Sequence, residues 1–145
     1  MNAGDDMIRV MTIDDYDEIY ALWQQVTTLI VQEFEDSKEQ IEKFLKRNPG
    51  HSFVAVEDDK IVGTILCGQD GRRGCIYHMC VAEEYRQRKI GTHLVQAVLA
   101  ELEKERIHNV YLVAFQKNKI GNAFWASLGW EMRADINNYN IKLKC

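Results

Sequence analysis

The spacing of apolar residues along this 145-residue chain switches repeatedly between a two-residue and a 3.6-residue period, and each switch marks an element boundary. Met7 to Thr12 alternates and predicts a first strand. From Asp14 the apolar residues Ile19, Leu22, Trp23 and Val26 recur at helical spacing, and the acidic start suits the positive end of a helix dipole. Thr28 to Asp36 follows neither period. Ser37-Lys38-Glu39-Gln40 has the spacing of a capping box, so a second helix is expected through Ile41, Phe44 and Leu45 until Asn48-Pro49-Gly50 ends it.

The middle of the chain reads as strands. Ser52–Glu57 and Ile61–Cys67 flank Asp58-Asp59-Lys60, a tight hairpin turn, and Gly68 to Gly74 is a second reversal centred on Asp70-Gly71. Ile76 to Val81 is a buried-type strand. A long amphipathic helix is expected from Ile90 to Arg106, its inner stripe set by Ile90, Leu94, Val98 and Leu102. His108–Phe115 predicts another strand. A short helix bearing Phe124, Trp125 and Leu128 starts at Asn118 and stops at Gly129, and Trp130–Arg133 and Asn138–Leu143 are expected as two closing strands. The order β-α-α-β-β-β-α-β-α-β-β predicts an α/β chain. Its sheet should be mixed, largely antiparallel at first, with helices on both faces. Neither a repeat nor a linker interrupts residues 1–145, so a single domain is expected.

Composition narrows the function classes. Apolar residues make up 46% and charged residues 28%, as in soluble globular proteins, and the formal net charge of −4 argues against a general nucleic-acid binder. Cys67, Cys75, Cys80 and Cys145 show no C-x-x-C pairing and no His at zinc spacing, so no metal is expected. Three of them sit in or beside apolar runs, where a cysteine usually acts as a small buried hydrophobe. No apolar run approaches the roughly 20 residues of a membrane span, and the start of the chain lacks a signal pattern. A cytoplasmic enzyme without membrane partners is the expectation.

Against this acidic background the stretch Tyr85-Arg86-Gln87-Arg88-Lys89-Ile90-Gly91-Thr92 stands out, with three cations in four residues between a strand and a helix. Unpaired N–H groups and the dipole at that helix start make it an anion site. The segment resembles motif A of the GNAT acetyltransferases, in which a strand ending in Val leads into Q/R-x-x-G-x-G/A. Val81, Arg86, Ile90 and Gly91 fit the pattern, and Lys89 stands at the place of its first glycine. Asn118 to Trp130 is similar to the family's motif B, N-x-x-A-x-x-[F/L]-Y-x-x-x-G-F, with Asn118, Phe124 and Gly129 matching. Gly121 replaces Ala there, Trp130 replaces Phe, and Trp125 occupies the Tyr position. The element order is similar to the GNAT fold from end to end.

That resemblance implies acetyl-coenzyme A as cosubstrate and a primary amine as acceptor. It implies that the main chain of Met79, Cys80 and Val81 pairs with the pantetheine. The amides of Arg86, Gln87, Arg88, Lys89, Ile90, Gly91 and Thr92 would take the pyrophosphate, with Asn118 and Trp125 on the pantetheine side. The family's usual acid is a Tyr at the position of Trp125, and an indole N–H is no useful acid. His78, Tyr77 and Tyr139 are the remaining candidates for base and acid. Strand alternation predicts that Tyr77 and His78 face opposite sides, so that only one reaches the acceptor. Glu33, Glu35 and Asp36 could attract a cationic acceptor or form a solvated loop, while Arg72 and Arg73 could hold an acidic one or flank a turn. The implied function is an N-acetyltransferase for a small amine or amino-acid-like acceptor, as monomer or homodimer. The alternatives are a protein N-terminal acetyltransferase of the ribosomal-protein type and a non-catalytic acyl-coenzyme A sensor.

Overall fold

A computed structural model describes residues 7–144, in two units that divide between Val113 and Ala114. The first contains strands β1 (Ile8–Val10), β2 (Phe53–Glu57), β3 (Lys60–Gln69), β4 (Arg73–Val81) and β5 (Asn109–Tyr111), with helices α1 (Tyr16–Gln25), α2 (Lys38–Arg47) and α3 (Ile90–Lys104). The strands form one sheet in the order β1-β2-β3-β4-β5. All neighbours are antiparallel except β4 and β5, which run parallel. The expected mixed sheet, antiparallel in its early part, is therefore present.

Local chemistry sets the connections. Asp58 and Asp59 both have positive φ, at 54° and 59°, and Glu57 pairs directly with Lys60. This is the two-residue turn whose twist matches a hairpin. In the second reversal Gly71 takes φ 88°, and Asp70 Oδ1 accepts from the N–H groups of Arg72 and Arg73 at 2.8 Å each. Ser37 caps α2 by accepting from Gln40 N–H.

Side chains on β3 alternate between two helical layers. Thr64 and Leu66 face α1, and Gly68 lies under Phe44 of α2, where an added Cβ would come within 3.0 Å of its ring. Gly63 faces the other way, toward Leu94 of α3. Ile90, Leu94, Val98 and Leu102 are buried along that helix, as the periodicity predicts. Each such side chain contributes about 1.5–3 kcal/mol through burial. Helix α3 ends at Lys104, two residues before the expected Arg106. Arg106 turns left-handed at φ 59°, and Ile107 N–H reaches back to Leu102 O, a Schellman-type stop.

Before α1, the Asp15 carboxylate takes a bidentate pair from Arg9 at 2.8 and 2.9 Å and the N–H of Thr12 at 2.9 Å. Burial works to raise this carboxyl, and the Arg9 and Thr12 hydrogen bonds outweigh it, holding Asp15 below the usual carboxylate range. Its stabilising contribution is thus complete above the unfolded value of about 3.9 and is lost as pH falls through the lower folded value. Asp15→Asn should cost about 1–2 kcal/mol at neutral pH in a urea titration and make stability less steep below about pH 4.

The second unit contains α4 (Lys119–Ser127), opened by Asn118, whose Oδ1 accepts from Gly121 N–H at 2.8 Å. Gly129 follows the helix at φ 87°. Two expectations fail in the late part of the chain. The strand expected over His108–Phe115 is confined to Asn109–Tyr111, and neither Trp130–Arg133 nor Asn138–Leu143 forms a strand among the described residues. A strand needs a partner as well as alternation, and Met132, Tyr139, Ile141 and Leu143 are all exposed. Cys145 lies outside the described residues.

Candidate functional site

The centre of β4 is irregular. Leu66 pairs with Tyr77 and Thr64 with Cys80, so two steps on β3 are matched by three on β4. The extra residue is a β-bulge, and His78 sits in it at φ 46°. This overturns the expectation from simple alternation. Tyr77 packs edge-on against Phe44 of α2, its ring centroid 5.9 Å away, and His78 packs edge-on against Trp23 of α1 at 4.7 Å. Both side chains therefore point to the same, α1/α2, side of the sheet.

The bulge is braced from within. Thr64 Oγ1 donates to His78 O at 2.8 Å and accepts from Trp23 Nε1 at 2.9 Å. On its outer side His78 Nε2 lies 2.8 Å from Asp36 Oδ1. The Asp36 carboxylate is buried, its second oxygen accepts from Gln32 N–H at 2.8 Å, and its main-chain oxygen accepts from Tyr16 at 2.6 Å. With the carboxylate accepting Nε2–H, the proton-accepting nitrogen of His78 is Nδ1, which has no partner among the described residues. Glu33 and Glu35, by contrast, are exposed. Asp36 is thus a partner of His78 that the sequence hides. It lies 42 positions from His78, and only the folded sheet joins them.

Strand β4 also has an open side. Its pairing with β5 covers only Arg73–Cys75 against Asn109–Tyr111, whereas β4 continues to Val81. Past Cys75 the β5-side edge, including Met79, Cys80 and Val81, has no strand partner among the described residues. At its end Arg86 Nε donates to Val81 O at 3.2 Å. Gln87 and Lys89 follow in left-handed conformation at φ 64° and 63°, and α3 begins at Ile90. Lys89 therefore holds the backbone shape for which glycine is suited, at a cost of about 1–2 kcal/mol. Ile90, Gly91 and Thr92 supply first-turn N–H groups that no described residue accepts. Arg88 is drawn aside, over the Tyr85 ring at 5.1 Å and 3.3 Å from Glu57. An open strand edge leading to a cationic helix start fits an extended ligand ending in a diphosphate.

On the α2 side of the sheet a cleft of about 310 Å³ opens beside Tyr77, lined also by Phe44, Asn48, Gln69, Arg73, Cys75 and Tyr111. Its phenol and thiol groups are neutral. Burial is the chief reason that the Tyr77 hydroxyl and the Cys75 thiol are raised, and the neighbouring Cys75 chiefly raises Tyr111. Burial also pushes Cys80 up to about 11 and Cys67 up to about 12, which removes both as thiolate nucleophiles at neutral pH. Asn118, Trp125 and Tyr139 belong to the second unit. Asn118 caps α4, Trp125 lies between Phe124 and Trp130 at 5.0 and 4.9 Å, and Tyr139 is 87% exposed.

Comparison with known proteins agrees with this geometry. The family model described as acetyltransferase (GNAT) family matches residues 16–130. An acetyltransferase of Sodalis glossinidius (strain morsitans) is 29% identical over 129 residues, covering 89% of each chain. A GNAT-family acetyltransferase from Staphylococcus aureus Mu50 superposes with a TM-score of 0.79 at 22% identity, over 95% of this chain and 93% of that one. The PaiA N-acetyltransferase of Thermoplasma acidophilum, solved with coenzyme A, gives 0.77 at 18% identity, over 87% and 89%.

Proposed function

The chain belongs to the GNAT acetyltransferase family, enzymes of acetyl-coenzyme A-dependent acyl transfer, and from that premise we propose that it moves an acetyl group directly to the primary amine of a small acceptor, with His78 as base. The observation that carries this reading is the His78–Asp36 pair, mounted on the bulge of β4, whose β5-side edge is open past Cys75. Bound acetyl-coenzyme A supplies the activated acetyl group. The main chain of Met79, Cys80 and Val81 is assigned to hold its pantetheine, and one fixed main-chain N–H of this kind favours charge developing on a carbonyl oxygen. The amides from Arg86 to Thr92 and the Lys89 charge are assigned to its diphosphate.

The acceptor must lose a proton to attack, since a lysine-like amine has a pKa of about 10. Asp36 fixes the His78 tautomer so that Nδ1 is the nitrogen able to take that proton. Tyr77 stays protonated and supplies a neutral donor on the same face, suited to the departing thiolate. The cleft beside it is of small-molecule size, which favours a small amine over a folded protein as acceptor. The family match spans the boundary between the two units, in keeping with one domain, and three buried free thiols accord with a reducing, cytoplasmic compartment.

Acetyl-coenzyme A and coenzyme A should each raise the melting temperature, and ATP and NAD should not. Thiol release should then follow addition of small primary amines. Absence of any shift with both coenzyme A species overturns the assignment. A shift without thiol release from any amine or peptide would make the protein a sensor, and release with N-terminal peptides alone would move the acceptor to the protein class.

A further inference from the structure

The cleft beside Tyr77 has a charge pattern of its own. Arg73 starts β4 and extends its guanidinium over the Tyr111 ring, with Cζ 4.8 Å from the centroid. No carboxylate among the described residues lies within ion-pair distance of it. Asp70, the one acid on the wall, uses Oδ1 to hold the N–H groups of Arg72 and Arg73 in the hairpin turn. Around Arg73 the remaining wall is aromatic, thiol or amide, from Phe44, Tyr77, Tyr111, Cys75, Asn48 and Gln69. A guanidinium steadied on an aromatic face, with its fork unpaired and, apart from Asp70 engaged in the turn, neutral walls about it, is suited to bidentate pairing with a carboxylate.

The register sets the distance. Tyr111 pairs with Cys75, so the Arg73 guanidinium lies near the level of Cys75. His78 stands three residues further along β4, and the bulge turns it to the same face as the cleft. Three strand residues span roughly 10 Å. The amine and carboxylate of an α-amino acid share one carbon and are too close together to meet both groups.

We propose that this cleft takes an acceptor carrying a carboxylate at one end of a short chain and the reacting primary amine at the other, with Arg73 pairing the carboxylate and the amine directed toward His78. Phe44 and Tyr111 provide the apolar walls for the chain between them. The proposal rests on the acetyl-transfer reading above and names the acceptor class for that site.

The test is thiol release with three matched series, namely ω-amino carboxylates of increasing length, the corresponding alkylamines, and α-amino acids. The unmodified protein should favour an ω-amino carboxylate over its alkylamine by at least about tenfold in kcat/KM, as expected of a charge-assisted bidentate pair. Arg73→Gln should bring that ratio close to one, and Arg73→Lys, which keeps the charge without the fork, should leave it between the two. The melting shift with acetyl-coenzyme A reports whether each variant is folded, and if the Gln variant is not, the Lys variant decides. Equal use of alkylamines and ω-amino carboxylates, a preference undiminished in the folded variants, or better turnover of α-amino acids overturns this proposal alone. If no amine in any series releases thiol although acetyl-coenzyme A raises the melting temperature, the small-amine reading falls and this proposal falls with it.

Discussion

Replacing His78 by glycine should lower kcat by about 10²- to 10⁴-fold, the range expected when a positioned general base is removed, while the melting shift with acetyl-coenzyme A is retained. Glycine is the informative substitute here because His78 sits at φ 46°, a conformation that glycine adopts without steric penalty. The variant thus leaves the bulge backbone unstrained and opens a space between Trp23 and Asp36, the two neighbours of the imidazole. Added imidazole should recover part of the lost rate by entering that space. A purely structural role would not produce such recovery. Asp36→Asn should lose a smaller factor, because an amide donates or accepts in place of a carboxylate and no longer selects the tautomer with Nδ1 free. Unchanged turnover in His78→Gly, measured with an acceptor that the unmodified protein uses, would remove His78 from the mechanism.

Much of the frame is legible in the sequence because it rests on local signals. The α3 stripe at Ile90, Leu94, Val98 and Leu102, the Ser37 cap, and the turns at Asp58-Asp59 and Asp70-Gly71 each arise from a few neighbouring residues, and each lies where expected. The basic loop before Ile90 is legible for the same reason, although Lys89 in a glycine-like conformation could only be found in the folded chain. What the sequence hides is non-local. The bulge that turns Tyr77 and His78 to one side follows from a register mismatch between β3 and β4, and no periodicity within β4 announces it. Asp36 reads as part of an irregular acidic segment until the sheet brings His78 to it. The closing strands expected at Trp130–Arg133 and Asn138–Leu143 do not form among the described residues, because a strand-like run does not state whether another strand is available to pair with it.

Thr64→Val should destabilise the protein by about 2–4 kcal/mol, although the two side chains are close in shape. Thr64 is completely buried, and its hydroxyl serves two partners at once, accepting from Trp23 Nε1 and donating to His78 O. Valine leaves a buried indole N–H and a main-chain carbonyl without those partners, where each unsatisfied group costs about 1–3 kcal/mol. The midpoint of urea unfolding should fall while the slope of the transition stays the same, because the surface exposed on unfolding hardly changes. Thr64→Ser keeps the hydroxyl and loses one methyl group, so its cost should be about 0.5–1.5 kcal/mol. The functional consequence follows from where the hydroxyl points. It holds the carbonyl of the residue at left-handed φ, so its loss frees the bulge to relax and misplaces His78 relative to Asp36. Thr64→Val should therefore lower kcat at temperatures where it is still fully folded, and Thr64→Ser should restore most of that loss. A cost below about 1 kcal/mol in the valine variant, together with unchanged turnover, would show that the bulge is held by the sheet register alone and needs no brace from β3.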